Sequence, residues 1–231
     1  MERGGYRQFC PIAKAAGILS ERWTLLILRD FLIRGARRFN DLRRGSPLMP
    51  PSVLAQRLKT LQEAGILVHE PLSDGHSWEY RLTKAGEELR PLLELAGHWG
   101  QRWLGSRLKR NELQPGPLMW DIQRKLKCEQ LPPGRTVIYV EFKDLKRMQC
   151  WWLVVEDGEA DLCLEDPGHD IDIGIYTDLL SLTQVFLGSL SISRALLDGK
   201  IKLSGRSQLT RGFLRWFGTS RFAGDNARSP A

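Results

Sequence analysis

The sequence is poor in the residues that build disulfide frameworks and metal sites. It has 231 residues, of which 4 are cysteine and 4 are histidine. The cysteines stand at positions 10, 128, 150 and 163, so that no two of them form a CxxC pair, and the histidines are equally scattered. This spacing speaks against a zinc site or a disulfide framework. We therefore expect reduced thiols, no metal ion and no cofactor.

Long apolar runs are also missing. No run of about 18 apolar residues occurs, so no membrane-spanning helix is expected. The first residues, MERGGYRQFCPIAK, lack the apolar core of a signal peptide, and the last residues, ARSPA, match neither a lipidation signal nor a peroxisomal signal. These features favour a cytoplasmic protein.

The sequence motifs of common enzymes are missing as well. The chain has no GxSxG, P-loop, GxGxxG or HExxH motif. The segment DPGHDIDIG holds three aspartates, but Ile171 and Thr177 occupy the positions where a calcium-binding EF-hand needs glycine and glutamate. We interpret this segment as a polar loop that enters a strand. The sequence thus predicts a protein that is not an enzyme.

Positive charge is concentrated in the first half of the chain. The formal net charge is +7. Residues 1–113 carry 19 Lys and Arg against 12 Asp and Glu, whereas residues 114–231 carry 15 of each sign. A local excess of this kind is typical of a module that binds a polyanion such as nucleic acid.

A segment rich in proline and glycine indicates two modules. The Pro-Gly-Pro tripeptide at residues 115–117 is predicted to break any helix and to suit a linker. We predict a mainly α domain over residues 1–110, a linker over 111–118, an α+β domain over 119–221 and a flexible tail over 222–231.

The first half is typical of helices followed by a hairpin. Helical apolar spacing runs through residues 10–35, a short helix begins near Phe39, and a third helix follows the prolines of SPLMPP. The segments ILVHEP and WEYRL are predicted as strands around an Asp74-Gly75 turn, and Thr83 is predicted to cap one last helix. This is the order of a winged helix-turn-helix domain.

The third helix has two predicted faces. Leu54, Leu58 and Leu61 recur at i, i+4 and i+7, so they form one buried stripe. The opposite side is predicted to present Ser52, Val53, Gln56, Arg57 and Thr60. In a major groove, glutamine can pair with adenine and arginine with guanine. Because a leucine stripe is also the mark of ordinary core packing, the DNA-binding hypothesis depends on its combination with the hairpin and the local positive charge.

Residues 10–104 resemble the HxlR-type winged helix-turn-helix regulators, relatives of the MarR group. The matching segments are CPIAKAAGILSERWTLLILRDFLIRGARRFNDLRR, PPSVLAQRLKTLQEAGIL and WEYRLTKAGEELRPLLELAGHWGQRW. The resemblance implies a homodimer, joined through its first and last helices, that binds palindromic double-stranded DNA. The family often has a capping side chain where this chain has Pro50.

Residue by residue, the resemblance implies a set of DNA contacts. Bases would be contacted by Ser52, Val53, Gln56 and Arg57. Phosphates would be contacted by Arg37, Arg38 and Lys59. The wing would contribute His76, Ser77 and Arg81, for which a solvated loop without contacts is the alternative.

Cys10 stands where some relatives of this family carry a redox-sensing thiol. Lys14 and the start of a helix lie nearby in sequence, and both could lower the pKa of a thiol. The alternative is a small, half-buried residue at a dimer seam, because the first domain offers no second cysteine.

The second half mixes strands and amphipathic helices. Strands are predicted at RTVIYVEF, QCWWLVV, ADLCL, IDIGIYT and IKLSG. Helices are predicted at DLLSLTQVFLG, SISRALLDG and QLTRGFLRWFG. Trp151 and Trp152 are neighbours on one strand, so at most one of them faces the core. Helices of this kind over a sheet can simply close a solid core.

The segment from roughly Asp170 to Gly218 resembles the sterol-carrier-protein-like lipid-binding domains. The resemblance rests on IDIGIYTDL, on FLGSLSISRALLDGKIKLSG and on a closing helix, with PLMWDIQRKL as the first helix of the domain. It implies a sheet covered by helices that enclose an apolar tunnel for a fatty acid, a sterol or a similar molecule. The implied ligand-binding residues are Trp152, Leu179, Leu182, Phe186, Leu190, Leu196, Phe213 and Trp216.

Together these features predict a transcription regulator. Its first domain would bind DNA as a dimer, and its second domain would sense an apolar effector that prefers one arrangement of the dimer. The alternative is a DNA-binding regulator whose second domain is a ligand-free dimerisation or protein-interaction module, with Cys10 as a redox sensor.

Overall fold

The chain folds into two compact units. The computed structural model describes residues 6–71, 77–104 and 108–224. Contacts within the chain divide it between Ala96 and Gly97. This division falls inside the helix Arg90–Leu104, ahead of the linker predicted at residues 111–118. The predicted domain bounds of 1–110 and 119–221 stay a prediction.

The first unit consists of helices and one hairpin. Its helices are α1 (Pro11–Leu19), α2 (Thr24–Leu32), α3 (Phe39–Gly45), α4 (Pro51–Glu63), α5 (Lys84–Glu87) and the start of α6 (Arg90–Leu104). The hairpin pairs β1 (Leu67–Pro71) with β2 (Trp78–Leu82) in antiparallel register, with His69 opposite Tyr80. The predicted winged helix-turn-helix order is confirmed, while the Asp74-Gly75 turn lies outside the described residues.

Two residues at the ends of elements suit their positions, and the predicted cap at Thr83 is confirmed. Gly65 has a φ of 68° directly after α4, a left-handed conformation that suits glycine at a helix end. The Thr83 side chain accepts a hydrogen bond from the Gly86 amide at 3.2 Å and so caps α5.

Two helices predicted as continuous are each interrupted. The helix predicted across residues 10–35 ends at Leu19 and restarts at Thr24, because Trp23 has a φ of 79° that no right-handed helix can include. The last helix is split between α5 and α6. Pro91 has no amide hydrogen to bond the preceding turn, so the chain starts a new helix there.

A buried carboxylate joins α2 to the end of α3. Asp30 is 0% exposed and accepts hydrogen bonds from Arg29 at 2.8 Å and Arg34 at 2.9 Å. Both arginines also donate to the Gly45 carbonyl oxygen, at 3.0 and 3.1 Å. A Cβ at position 45 would collide with the Asp30 carboxylate, so glycine is required there. Burial raises the pKa of Asp30, and the two arginines oppose that shift.

The second unit has one five-stranded sheet. Its strands are β3 (Thr136–Phe142), β4 (Cys150–Glu156), β5 (Glu159–Cys163), β6 (Ile173–Thr177) and β7 (Ile201–Gly205), in the order β5-β4-β3-β6-β7. β3 and β6 are parallel, and the other neighbours are antiparallel. Its helices are α7 (Pro115–Lys125), α8 (Leu179–Phe186), α9 (Ile192–Leu197), α10 (Ser207–Arg211) and α11 (Phe213–Trp216). The predicted α+β class is confirmed for this unit.

The core of the second unit lies on one face of the sheet. Trp151 is 2% exposed and belongs to this core together with side chains of α7, α8, α10 and α11. Trp152 follows it on the strand and therefore lies on the other face. The polar loop before β6 is anchored by Asp172, whose carboxylate accepts the Val137 amide at 2.8 Å and pairs with Arg206 at 2.7 Å. This agrees with its interpretation as a polar loop that enters a strand.

Two predictions for the second half are wrong in detail. The Pro-Gly-Pro tripeptide begins helix α7, because amides of a first helical turn have no partner within the helix and proline costs little there. The helix predicted at QLTRGFLRWFG is two short helices that meet at Gly212. The tail over residues 222–231 stays a prediction, and its first residue, Phe222, has its ring 5.1 Å from the His98 ring between centroids.

No helix among the described residues is long and apolar enough to cross a lipid bilayer.

We expect Asp30→Ala to destabilise the first unit selectively. Removal of the carboxylate leaves two arginine side chains without their buried partner, at a cost of about 3 kcal/mol. Hydrogen exchange followed by mass spectrometry should show faster exchange in α2 and α3 and unchanged exchange in β3 and β4. Asp41→Ala is the matched control, because Asp41 meets the exposed Arg44 at 3.9 Å. Equal exchange in the two variants would contradict a structural role for Asp30.

Candidate nucleic-acid interface

Helix α4 is anchored by its leucine stripe. Leu54, Leu58 and Leu61 are each at most 1% exposed and belong to the core of the first unit. The helix begins at Pro51, and Pro50 occupies the cap position without any side-chain cap. The predicted buried stripe is confirmed, and Pro51 at the first helical position needs no amide partner.

The face of α4 opposite the leucines carries four exposed side chains. Ser52, Ala55, Gln56 and Lys59 recur three and four residues apart and form what we call the α4 ridge. Its hydroxyl, amide and ammonium groups can bond base edges or phosphates, and a methyl group such as that of Ala55 can contact thymine. Ala55 was missed by the sequence analysis because it has no polar group.

Two residues predicted to face bases do not lie on the α4 ridge. Val53 is half-buried and packs against the core of the first unit. The side chain of Arg57 is 22% exposed. Successive residues advance by about 100° around a helix, so Arg57 lies roughly 65° from the leucine stripe, on its flank. Neither side chain lies directly opposite the leucines, as helical geometry could have shown, and their base contacts stay a prediction.

Arg57 is engaged in an ion pair. Its Nη2 donates to Oε2 of Glu21 at 2.6 Å. Glu21 lies in the turn between α1 and α2. The Nε of Arg57 is buried and has no hydrogen-bond partner among the described residues. The ion pair thus joins α4 to the α1–α2 turn.

A cationic cleft lies beside the start of α4. It has a volume of about 430 Å³ and is lined by Asn40, Arg43, Arg44, Pro47, Met49 and Pro51. Arg43 and Arg44 are exposed in the last turn of α3. Two guanidinium groups and an amide next to a helix N-terminus can bind a phosphate. Neither arginine was among the predicted contacts, although their position directly before the turn was a signal.

The wing brings two predicted contact residues together. Arg37 and Arg81 both pair with the Glu79 carboxylate, Arg37 at 3.8 Å, and their side chains are 58% and 52% exposed. The Arg37 carbonyl oxygen accepts the Tyr80 amide at 2.8 Å, which attaches β2 to the segment before α3. The remaining members of the predicted set are an exposed Arg38, a half-buried Ser77, and His76, which lies outside the described residues.

The wing also carries an aromatic cluster that the sequence analysis missed. The His69 ring stacks on the Tyr80 ring at 4.2 Å between centroids and lies 5.1 Å from the Trp78 ring. Trp78 is 53% exposed. The cross-strand register that brings these rings together could be read from sequence only once the hairpin pairing is known.

Most residues predicted to bind an apolar ligand are part of a packed core. Five of them are buried in the core of the second unit, and two pack against it half-buried: Leu179, Leu182, Phe186, Phe213 and Trp216, then Leu190 and Leu196. The Phe213 and Trp216 rings meet edge to face at 5.0 Å, and the Trp216 indole N–H donates to the Leu209 carbonyl at 3.0 Å. Such contacts are those of a closed protein interior.

Trp152, the eighth predicted ligand residue, lies apart from the other seven. It stands on the opposite face of the sheet, where its ring lies 5.3 Å from that of Tyr139. Its indole N–H is buried and has no hydrogen-bond partner in the described part of the chain. Tyr139 donates a hydrogen bond to Glu141 at 3.1 Å, and its oxygen lies 3.0 Å from the Cys150 sulfur. Trp152 therefore cannot line one pocket with the seven core residues.

Cys10 is half-buried at the cap position of α1. All four cysteines are free, and the other three belong to the second unit. Within the described ranges, no group of three or more His, Cys, Asp or Glu side chains could hold a metal ion.

Comparison with known proteins links the first half to one family. Residues 18–108 match the HxlR-like helix-turn-helix family. The HTH-type transcriptional regulator YvaP of Bacillus subtilis is 33% identical over 99 residues, which are 42% of this chain and 91% of that protein.

Two further comparisons concern other bacterial regulators. The HTH-type transcriptional regulator Rv3095 of Mycobacterium tuberculosis is 39% identical over 94 residues, which are 40% of this chain, and the match spans 58% of its own length. The solved structure of the reduced form of the regulator YodB from B. subtilis is 27% identical, with a TM-score of 0.37 over 43% of this chain and 98% of that one.

The anchored α4, the hairpin wing and the match to nearly the whole of YvaP agree with one another. Through its first half, the chain belongs to the HxlR-like helix-turn-helix family of transcription regulators.

Proposed function

We propose that the chain regulates transcription by binding double-stranded DNA, with the α4 ridge in a major groove. The observation that carries this proposal is that Ser52, Ala55, Gln56 and Lys59 form one exposed face on a helix held by buried leucines. Such a face matches the recognition helix of a helix-turn-helix domain, which presents base-reading side chains to the groove.

Exposed arginines outside the ridge support the same proposal. Arg43 and Arg44 line the cleft beside the start of α4, and Arg37 and Arg81 meet at Glu79 of the wing. In a DNA complex they would neutralise phosphates and fix the register of the ridge along the duplex. The excess of positive charge in residues 1–113 is consistent with this role.

We further propose a homodimer joined through α1 and α6. Helix α1 has no buried residue, and Phe9 and Ile12 beside and within it are 95% and 79% exposed. Exposed apolar side chains also form one stripe along α6, at Leu92, Leu95, Trp99 and Trp103. A second copy of the chain would remove this apolar surface from water and place two α4 helices on one palindromic site.

For the second unit we propose a sensor of an apolar effector. The resemblance to sterol-carrier-like domains and the placement of the core helices on one face of a single sheet support this role. The packed state of the predicted lining residues favours a second candidate, a ligand-free dimerisation or protein-interaction module. In both cases the chain acts as a regulator and not as an enzyme, and Cys10 is a candidate redox sensor in the second.

We expect Gln56→Ala to weaken binding to a preferred DNA sequence by about 1–3 kcal/mol and to relax the preference at one base pair. The preferred duplex would be the one that the wild-type protein enriches from a randomised library. Gln62→Ala is the matched control, since Gln62 is exposed on the same helix but lies six residues beyond Gln56, in the last turn of α4. Equal losses for the two variants on the enriched duplex would refute the ridge as the reading surface.

We expect Leu95→Glu to convert the dimer into a monomer, because a carboxylate would be buried in an apolar contact. Light scattering coupled to size-exclusion chromatography would report the mass. Leu197→Glu makes the same change at a leucine that is 82% exposed in α9, and it should leave the dimer intact. A monomer with Leu197→Glu and a dimer with Leu95→Glu would assign dimerisation to the second unit instead.

The two roles of the second unit predict different outcomes in one experiment. After incubation with a bacterial lipid extract, native mass spectrometry should show one bound apolar molecule per chain if the unit is a sensor. The same extract should then change the affinity for the enriched duplex, because an effector shifts DNA affinity only if it prefers one arrangement of the dimer. A chain without adduct and with unchanged DNA affinity would favour the ligand-free module.

A further inference from the structure

We infer that Arg57 is a positioning residue, which holds helix α4 in its orientation through Glu21 and does not read a base. This inference rests on the proposed DNA-binding function and deepens it, because it separates the residues that contact DNA from the pair that aims them. It starts from the 2.6 Å hydrogen bond between Nη2 of Arg57 and Oε2 of Glu21.

Glu21 sits on a well-anchored turn. The next two residues hold the turn together, since the Arg22 guanidinium lies 4.8 Å above the Trp23 ring. Trp23 packs against the core of the first unit, and the Thr24 amide donates to the Glu21 carbonyl oxygen at 3.0 Å. The backbone that carries Glu21 is therefore fixed relative to that core.

Arg57 differs from the solvated cations around it. Its side chain is 22% exposed, whereas that of Lys59 is 71% exposed and meets Glu63 at 3.8 Å. Its Nε is buried and has no hydrogen-bond partner among the described residues, whereas its Nη2 reaches Glu21 at the surface. An ion pair with one half-buried partner holds its geometry better than an exposed pair, because solvent screens it less.

The position of the pair explains what it controls. The leucine stripe of α4, with Val53 on its flank, holds the helix against the core by apolar contacts, which have no preferred direction and tolerate a small roll of the helix about its axis. Arg57 lies on the same flank, and its hydrogen bond to Glu21 is a directional contact that opposes this rolling. A small roll would move Gln56 and Lys59 relative to a groove. Base contacts depend on that geometry more than phosphate contacts do.

The test compares six variants on two DNA duplexes. The variants are Glu21→Gln, Arg57→Gln, the double glutamine variant, the exchange Glu21→Arg with Arg57→Glu, Arg57→Glu alone as the reference for the exchange, and Lys59→Gln as a control. The duplexes are the one enriched by the wild-type protein and one of random sequence. Fluorescence anisotropy would give affinities over a range of salt concentrations, and circular dichroism would verify that each variant is folded.

We expect each single glutamine variant to lose about three- to tenfold in affinity for the enriched duplex. The double glutamine variant should lose no more than either single variant, because both remove one interaction. The dependence on salt should stay as in the wild type, and the exchanged pair should recover much of the affinity lost by Arg57→Glu alone. Lys59→Gln, as a matched control on the ridge, should instead reduce the salt slope by about one.

Two other outcomes would overturn the inference and leave the proposed function intact. If Arg57 reads a base, Arg57→Gln relaxes one base pair while Glu21→Gln changes nothing. If Glu21 merely withholds Arg57 from a phosphate, Glu21→Gln raises the affinity and Arg57→Gln lowers the salt slope. A wild-type protein that binds neither duplex, or binds without salt dependence, would overturn the proposed function itself.

Discussion

The burial of three leucines on one side of α4 is the constraint on which the candidate interface depends. Because Leu54, Leu58 and Leu61 are anchored in the core of the first unit, the opposite ridge has to face outward. The prolines of SPLMPP support this arrangement by starting the helix at Pro51 without a capping side chain. The proposed contact to DNA is thus a consequence of ordinary core packing, and the charges around it set the electrostatic field.

Ion pairs in the first unit serve two different purposes. Asp30 is fully buried and joins α2 to the end of α3 through two arginines, so it supports the scaffold. Arg57 and Glu21 form a partly exposed pair at the edge of α4. A pair at such an edge contributes little to overall stability, yet it can hold the orientation of a helix. Pairs with similar chemistry therefore differ in role according to burial and position.

The two units differ in how far their sequence patterns indicate a site. In the first unit, polar side chains remain outside the core, and they form the ridge, the cleft and the wing. In the second unit, the apolar residues with the resemblance to a lipid-binding domain fill the interior, where aromatic rings contact one another. The same residues would be expected in a tunnel and in a solid core, because both need apolar side chains.

The sequence by itself determined the element order of the winged helix, the leucine stripe, the cap at Thr83 and the strands of the second unit. These features are local, because they follow from the spacing of apolar residues along the chain, from turn residues and from helix capping. Only the tertiary structure decided that Trp23 interrupts the first helix and that Arg57 turns toward Glu21. Each depends on which distant group a residue meets, and spacing along the chain does not contain that information. For the same reason, the chemistry of arginine made Arg57 a candidate base contact, whereas the fold decided where its guanidinium lies.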